Sequence, residues 1–263
     1  MIKIGTSGFS FDSWIGPVYP TYLKKNQLLL YYERILGFNV LEINSTYYAL
    51  PSRKSMESLV KRTSPDFRFS IKANSEMTHK IKDKKNNKKS FENFKFSIQP
   101  FVDSGKLLCI LAQFPYSFYP AKDNFDYLKQ FKEQVLGIPI VIEFRNRYWH
   151  KSEVLDFLKD KDLGYCIVDE PNLKGLMPFN PAITSDIAYF RFHGRNKDWF
   201  EAEKSSRYDY LYSQEELKKF VDPIKDLDSK ASQTLVFFNN CHIGKAVRNA
   251  LMLKEIIQND SKR

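Results

Sequence analysis

The chain has 263 residues, of which 41 are Lys or Arg and 31 are Asp or Glu, so its formal net charge is +10. Its contents of 43% apolar and 15% aromatic residues exclude disorder of the chain as a whole. The longest unbroken apolar stretch, Leu107–Ala112, is far shorter than the roughly 20 residues of a membrane-spanning helix. We therefore expect no membrane association. The basic excess reflects either a lysine-rich composition or a polyanionic partner.

The three cysteines indicate a reducing compartment. Cys109, Cys166 and Cys241 are widely spaced and form no Cys-x-x-Cys pair. This pattern argues against a disulfide framework or a zinc cluster. The first residues, Met1–Gly5, lack the apolar segment of a secretory signal. The sequence thus predicts a cytoplasmic protein, with no metal ion and no other cofactor.

Short β-rich segments alternate with helical segments along the whole chain. Eight runs of apolar, β-branched and aromatic residues predict strands. These are Ile2–Gly5, Val40–Asn44, Phe67–Ala73, Leu107–Phe114, Ile138–Arg145, Tyr165–Glu170, Ile187–Gly194 and Thr234–Asn240. Such alternation from end to end indicates a parallel sheet with both faces covered.

Helical spacing of apolar residues predicts helices between most of the strands. They are Leu23–Leu36, Ser52–Arg62, Phe91–Val102, Asn124–Leu136, Ser152–Lys161, Ser213–Asp226 and Ile243–Ile257. Ser52 and Ser152 stand before charged first turns, and Ser213 with Glu216 has the pattern of a capping box. The segment Pro171–Asp186 contains three prolines and cannot hold a long regular helix.

Eight strands in a chain of this length match a (β/α)₈ barrel. We predict an α/β fold with a single TIM-like barrel domain over residues 1–263, irregular only in the connection between the sixth and seventh strands. A doubly wound open sheet is the alternative. Gly5-Thr6-Ser7-Gly8, after the first strand, does not match the glycine-rich loop that binds dinucleotides in such sheets. The barrel is therefore favoured.

The polar residues of the predicted strands fall on one face. Strand residues two apart share a face, so Glu143 lies with Arg145 on the fifth strand, and Arg191 with His193 on the seventh. The polar positions predicted on the other strands are Glu42, Asn44, Lys72, Gln113, Asp169 and Asn239, with Arg195 just beyond the seventh strand. This face becomes polar toward the carboxyl ends of the strands, where barrels place their active sites.

Two chemical interpretations of this polar ring compete. Glu42, Glu143, Asp169 and His193 could hold a divalent metal, as in metal-dependent isomerases and nucleases. The interspersed cations would repel such an ion, whereas forked arginines suit a carboxylate or phosphate. We therefore favour an anion-binding pocket. An internal salt-bridge network is the purely structural alternative.

The loops that follow the strands contribute aromatic rings and lysines. Trp14, Trp149, Trp199 and Tyr47 all follow predicted strands, and aromatic rings beside cations suit nucleobases or sugar rings. The alternative is that these rings pack the loops onto the barrel. The segment Lys80–Lys89 carries six lysines and one acid, which modestly favours a polyanion near the same end of the barrel.

These motifs, taken together, resemble the domain-of-unknown-function-72 (DUF72, YecE-like) family. The matching residues are Gly5–Gly8 with Trp14, Gly16 and Tyr19-Pro20; Glu42–Tyr48 with Pro51; Phe69, Lys72 and Ala73; Thr78-His79; Gln113–Pro115 with Phe118; Glu143–Arg145 with Trp149; Asp169 with Pro171; Arg191–Arg195; and Asn239-Asn240 with Gly244, Ala246 and Asn249-Ala250. The resemblance covers nearly the whole chain in order. Asn146 and Cys241 depart from it, since histidine and aspartate are common at these two positions.

The resemblance implies a TIM-like barrel and no established reaction. Barrels of this family look similar to the xylose-isomerase and endonuclease IV group, and this similarity has suggested DNA binding or repair. Because such reasoning rests on the fold alone, it is a weak argument for chemistry.

The sequence predicts a barrel mouth that binds an anionic, phosphate-bearing small molecule or a nucleic acid. The candidate acid–base residues, if the protein is an enzyme, are Glu143, Asp169 and His193. The candidate ligand-binding residues are Glu42, Asn44, Lys72, Gln113, Arg145, Trp149, Arg191, Arg195, Asn239, Asn240, Trp14 and Tyr47. The competing hypotheses are a metal-dependent hydrolase or isomerase that uses Glu42, Glu143, Asp169 and His193, and a non-catalytic binding protein.

Overall fold

The computed structural model describes residues 1–81, 87–201 and 206–260. Its strands are β1 (Ile2–Thr6), β2 (Val40–Ile43), β3 (Arg68–Lys72), β4 (Leu107–Gln113), β5 (Ile140–Glu143), β6 (Gly164–Asp169), β7 (Ile187–Phe192) and β8 (Gln233–Phe238). They form one parallel sheet in the order β1-β8-β7-β6-β5-β4-β3-β2. All eight predicted strands are confirmed, with ends that differ by one or two residues.

Strands β1 and β2 close the sheet into a barrel. Ser7 forms a parallel bridge with Glu42, and the N–H of Gly8 donates to the carbonyl oxygen of Glu42 at 2.9 Å. A Cβ atom at Gly5 would lie 2.4 Å from the carbonyl oxygen of Val40, so glycine is required where β1 passes β2. Contacts across this seam confirm the barrel and exclude the open sheet.

Helices follow most of the strands. They are α1 (Leu28–Arg34), α2 (Ser45–Tyr48), α3 (Arg53–Lys61), α4 (Ser75–Thr78), α5 (Lys88–Asp103), α6 (Lys122–Gln134), α7 (Ser152–Asp160), α8 (Gln214–Lys218), α9 (Val221–Asp228) and α10 (Lys245–Asp260). Each predicted helical segment contains a helix, although Ser213–Asp226 is divided into α8 and α9. The one-turn helices α2 and α4 follow β2 and β3 directly and had no periodic signal.

Side-chain caps fix the starts of two of the helices predicted from the sequence. Ser52 Oγ accepts the N–H of Ser55 at 3.2 Å, before α3. Ser213 and Glu216 exchange bonds of 3.2 and 2.8 Å in the predicted capping box, before α8. Ser152 does not cap α7, because it is itself the first helical residue. These caps satisfy N–H groups that have no partner inside the helix.

The strands lie at the centre of the molecule and are almost entirely buried, as expected for a parallel sheet covered by helices. The connection Pro171–Asp186 contains no helix, as predicted from its prolines. None of the helices in the described part of the chain is long and apolar enough to cross a membrane. The carboxyl ends of the strands and the segments after them therefore form the barrel mouth.

Candidate functional site

A buried arginine joins two carboxylates inside the barrel. Arg191 of β7 donates from Nη1 to Oε2 of Glu143 at 2.6 Å, and from Nη2 to Oε1 of Glu42 at 2.7 Å. Its side chain is 1% exposed, and neither carboxylate is exposed. Charges at such depth are tolerated only when they are paired. Arg191 thus belongs to an internal ion-pair network, and its buried side chain is not accessible to a ligand.

Hydrogen bonds from below complete the environment of Glu42. The hydroxyl of Tyr189 donates to Oε2 of Glu42 at 2.6 Å and lies 2.8 Å from Oγ of Ser70. All three side chains are buried and come from three different strands. This polar layer links the strands across the barrel interior, and Glu42 belongs to it rather than to an open pocket.

Arg145 lies at the edge of the same network. Its Nε is 2.7 Å from Oε1 of Glu143, and its Nη1 donates to Oε2 of Glu170 at 3.1 Å. Burial opposes the ionisation of Glu143, but Arg145 and Arg191 outweigh it and hold the pKa of Glu143 well below its usual value. Burial raises the pKa of Glu170 to about 7, although Arg145 opposes this shift. Arg145 is 11% exposed, so it is the residue through which this ion-pair network reaches the barrel mouth.

His193 is also part of the buried network. Its Nε2 lies 3.3 Å from Oε1 of Glu143, and its Nδ1 lies 3.0 Å from the amide nitrogen of Asn239. Burial, helped by the positive charge of Arg145, lowers the pKa of His193 to about 3. The imidazole is therefore neutral at physiological pH, and donation from Asn239 to Nδ1 places its proton on Nε2, facing Glu143.

A cleft of about 570 Å³ opens at the barrel mouth, within the range of roughly 300–1,000 Å³ typical of small-molecule sites. Its lining is rich in aromatic and basic side chains. The lining residues are Tyr47, Tyr48, Lys72, His79, Gln113, Pro115, Tyr116, Arg145, Leu176, Trp199, Phe200, Arg207 and Tyr208. Within the described part of the chain this lining includes Lys72, Arg145 and Arg207 but no carboxylate.

Lys72, at the end of β3, projects into the cleft. Its Nζ donates to Oε1 of Gln113 at 2.7 Å and lies 4.4 Å from the centre of the Tyr47 ring. The amide nitrogen of Gln113 donates to a main-chain oxygen and also lies 3.4 Å from Nε2 of His79. Burial and the nearby guanidinium of Arg191 lower the pKa of Lys72 to about 7. Burial and Lys72 lower the pKa of His79 to about 4.

Trp199 lies close to two arginines in the lining of the cleft. The guanidinium carbon of Arg207 is 5.7 Å from the centre of the Trp199 ring, and that of Arg145 is 5.9 Å from it. Both distances are within the range of cation–π attraction. Nε of Arg207 is buried with no hydrogen-bond partner among the described residues. This part of the cleft therefore presents guanidinium groups beside an aromatic ring.

Asp169 and Arg195 form a separate ion pair away from this network. Nη2 of Arg195 donates to Oδ1 of Asp169 at 2.7 Å, and the hydroxyl of Tyr212 donates to Oδ2 at 2.6 Å. Burial raises the pKa of Asp169. Gly194 has φ of +91°, which ends the strand alternation after His193 and turns Arg195 away. The structure therefore corrects the predicted placement of Asp169 and Arg195 in the polar ring.

Three other predicted ligand-binding residues have packing roles. Trp14 is wholly buried and donates from Nε1 to the carbonyl oxygen of Cys241 at 2.6 Å. Trp149 is 1% exposed and stacks on Phe144 at a centroid distance of 4.2 Å. Asn240 is buried and donates to the main chain of the loop before α8. These side chains anchor loops to the barrel and do not line the cleft.

Asn44 and the lysine-rich segment complete the predicted set. Asn44 is partly buried, and its Oδ1 has no hydrogen-bond partner within the described residues. It lies outside the lining of the cleft. Half of the run Lys80–Lys89, namely residues 82–86, lies outside the described part of the chain.

The donors proposed for a metal ion are not assembled. Within residues 1–81, 87–201 and 206–260, no group of three or more His, Cys, Asp or Glu side chains is arranged to hold one. Glu42 and Glu143 are bonded to Arg191, and Asp169 is bonded to Arg195. The chemistry of these donors therefore suits internal ion pairs better than a cation.

Sequence reasoning missed three residues of the site: Glu170, His79 and Arg207. The position of Glu170 follows from the strand register in the structure, in which Cys166 and Val168 pair with Tyr189 and Arg191. Residues in register share a face, so Glu170 rather than Asp169 continues the inward set. His79 directly follows the one-turn helix α4, and Arg207 also lies in a segment without periodic signal.

The model of the family described as "Protein of unknown function DUF72" matches residues 3–263. The UPF0759 protein YunF of Bacillus subtilis is 31% identical over 98% of this chain and 95% of its own length. The crystal structure of a DUF72 family protein from Thermotoga maritima is 44% identical, has a TM-score of 0.91 and covers 98% of this chain and 99% of that one. A DUF72 family protein from Enterococcus faecalis is 28% identical, with a TM-score of 0.86 and coverage of 98% and 96%.

A more distant structural neighbour is D-psicose 3-epimerase from Clostridium cellulolyticum, solved with D-tagatose. It is 11% identical, has a TM-score of 0.58 and covers 98% of both chains. At this identity the likeness concerns the fold alone.

Proposed function

The chain belongs to the DUF72 family of proteins of unknown function, and we propose that its barrel mouth binds an anionic, phosphate-bearing small molecule. The observation that carries the proposal is the lining of the cleft. In the described part of the chain it contains Lys72, Arg145 and Arg207 and no carboxylate. A concave site with positive charge and little competition from acids attracts anions.

The buried network leaves two cations of the cleft without a carboxylate partner among the described residues, whereas Arg145 is paired with Glu143 and Glu170. Arg191 is balanced by Glu42 and Glu143, which lie below the cleft. Arg207 has no ion-pair partner within the described residues, and Lys72 is bonded only to the neutral Gln113 there. Phosphate oxygens accept charge-assisted hydrogen bonds from such donors, with arginine offering two at once.

The aromatic rings of the cleft suit a planar group attached to the anion. The ring of Trp199 lies near both Arg145 and Arg207, and Tyr47 lies beneath Lys72. A base or sugar ring stacked on either side would keep its phosphate within reach of a cation. We accordingly assign ligand contact to Lys72, Gln113, Arg145 and Tyr47 from the sequence-based set. Glu143 positions Arg145 from below, His193 contacts Glu143, and Asn239 holds His193.

Thermal shift measurements with matched pairs of compounds test this proposal. Nucleoside monophosphates and sugar phosphates are compared with the same compounds without phosphate. We expect the phosphorylated member of at least one pair to raise the melting temperature, because a ligand that binds only the folded state stabilises it. Equal shifts within every pair, or none, would contradict an anion site.

A substitution in Arg207 then locates the site. Arg207→Gln removes a cleft cation without leaving a carboxylate unpaired among the described residues. Loss of a charge-assisted hydrogen bond is worth about 1.5–3 kcal/mol, so we expect the affinity for the responding phosphate compound to fall by about tenfold to a hundredfold. Arg248→Gln, at an exposed position of α10, is the matched control and should leave the affinity unchanged.

Single-stranded nucleic acid is a second candidate ligand. The exposed rings of Tyr48, Tyr116 and Phe200 surround the cleft, with exposures of 82%, 40% and 57%, and successive bases stack on rings of this kind. Binding of an oligonucleotide over a salt series distinguishes the two. A strand that contacts several phosphates gives a steep slope, and Arg207→Gln should reduce it by about one. A flat slope would leave the small molecule as the ligand.

The metal-dependent hydrolase or isomerase is the less favoured hypothesis, because three of its four donors are bonded to arginines. Elemental measurement on carefully purified protein tests it. Stoichiometric zinc, manganese or magnesium would support that class over the one proposed here.

A further inference from the structure

Lys72 differs from the two arginines of the cleft in being an amine, and its hydrogen-bond partner among the described residues is the neutral Gln113. Lys72 is the last residue of β3 and is partly buried. The charged groups that act on it are Arg191 and Arg145, which oppose its protonation, and Glu143 and Glu42, which favour it. His79 also acts electrostatically with Lys72.

The described side-chain contacts of Lys72 leave most of its nitrogen directed into the cleft. An ammonium group has three N–H donors, and Nζ has one acceptor among the described residues, Oε1 of Gln113. Gln113 is held in turn by its own bond to a main-chain oxygen at 3.0 Å. One N–H of the amine is therefore fixed, and the remaining positions of Nζ face the cleft.

Lys106 shows what a satisfied buried lysine looks like in the same protein. It is 7% exposed and stands just before β4. Its Nζ donates to two carbonyl oxygens and one hydroxyl, each at 2.9 Å. All three donors of this ammonium group are used, whereas those of Lys72 are not. The two lysines thus form an internal comparison.

We propose that Lys72 is a nucleophile that forms an imine with an aldehyde or ketone bearing an anionic group. This inference rests on the proposed function, because Arg145 and Arg207 would hold the anion while the carbonyl carbon lies against Nζ. Amines beside cationic groups in desolvated sites are activated in this way.

The step balances with water as its only by-product. The lone pair of Nζ attacks the carbonyl carbon, a C–N bond forms, and the oxygen takes up a proton from the amine. The resulting carbinolamine loses its hydroxyl with a second proton as water, which leaves a C=N bond. His79 lies beside Gln113, where its imidazole can exchange these protons with the cleft.

Borohydride trapping with two related aldehydes tests the proposal on the full chain. Pyridoxal 5′-phosphate carries the anion and pyridoxal does not. Each is added in equal amount to the protein near pH 7 and reduced, and the modified lysines are identified by peptide mass spectrometry. With a pKa of about 7, Lys72 is about half neutral there, against roughly one part in 2,500 for an ordinary lysine of pKa about 10.4.

We expect pyridoxal 5′-phosphate to modify Lys72 at least about tenfold faster than surface lysines, with no modification of Lys106. Lys72→Arg should abolish this modification, and its melting temperature reports whether it is folded. Modification spread over surface lysines, with Lys72 unmodified, would overturn the inference, whether or not Arg207→Gln weakens phosphate binding. Equal modification of Lys72 by both aldehydes would support the nucleophilic role of Lys72. The same result would contradict the proposal that the cleft binds an anion.

Discussion

Replacement of Arg191 by Met is expected to cost more stability than any substitution that lines the cleft. Arg191 is 1% exposed and is bonded at 2.6 and 2.7 Å to two carboxylates that are not exposed at all. Met fills much of the same volume but leaves Glu42 without its cation and Glu143 with Arg145 alone. Breaking a buried ion pair from one side costs about 3–5 kcal/mol, and we expect a loss of this size near neutral pH.

The loss should depend on pH, and its sign follows from the carboxylates. In the wild-type protein the pKa of Glu143 is well below its usual value. Its contribution to stability is therefore present above the pKa of the unfolded chain and disappears as the pH falls through the lower, folded value. In Arg191→Met one of the two arginines that lower the pKa of Glu143 is missing, so the difference between the two proteins should shrink from about pH 7 to about pH 4.

Urea denaturation at these two pH values measures the effect. Arg248→Met provides the exposed control, which should change the free energy of unfolding by no more than about 0.5 kcal/mol. Adding Glu42→Gln to Arg191→Met should recover part of the loss, since it removes the unpaired charge. A loss below about 1 kcal/mol at pH 7, or one that is the same at both pH values, would refute the assignment of Arg191 to a structural network.

Three further substitutions test the surroundings of the site. Asp169→Asn should lower the free energy of unfolding by about 1–2 kcal/mol through its bonds to Arg195, yet leave phosphate affinity unchanged; a large loss of affinity would contradict its position outside the cleft. Gly194→Ala should lower the melting temperature, because φ is +91° and a Cβ would lie 2.6 Å from that of Tyr210, a strain of about 1–3 kcal/mol; an unchanged melting temperature would contradict it. Burial raises the pKa of Glu170 to about 7, so its contribution to stability is lost as the pH rises from about 4.5 to about 7. Glu170→Gln should flatten this part of the wild-type stability profile, and an unaltered profile would show that Glu170 does not titrate there.

The barrel could be predicted because its signals are local and repeated. Each strand is a short apolar run, and the helices between them are amphipathic, so the order of elements led directly to the fold. The ends of elements were less well predicted. Ser213–Asp226 contains two helices rather than one, since periodicity does not reveal a break between segments that bury similar faces.

The site could be predicted only where strand alternation persists. Glu143 and His193 lie together as expected because both extend the regular alternation of their strands. Arg195 does not, because the left-handed conformation of Gly194 intervenes. The sequence analysis predicted Asp169 rather than Glu170 in the polar ring. The pairing of β6 with β7 decides which of these two adjacent acids faces inward, and this pairing cannot be read from the residues of one strand.

The sequence also did not reveal how deeply each side chain is buried. Trp14 and Trp149 follow strands, as Trp199 does, but only Trp199 lines the cleft. Whether a ring packs a loop or faces a ligand depends on contacts with distant segments, such as that between Trp14 and Cys241. Arg145 and Arg191 likewise look equivalent in sequence, yet one lines the cleft and the other is sealed beneath it.

A crystal structure of the protein soaked with the phosphate compound that gives the largest thermal shift tests the central claim most directly. We expect the phosphate in the cleft, within hydrogen-bond distance of Arg145 or Arg207, with Arg191 still bonded to Glu42 and Glu143. Phosphate bound elsewhere with the cleft empty, or bound to Arg191 after rupture of its carboxylate pairs, would contradict the claim that this cleft is the anion site and that Arg191 supports it from below.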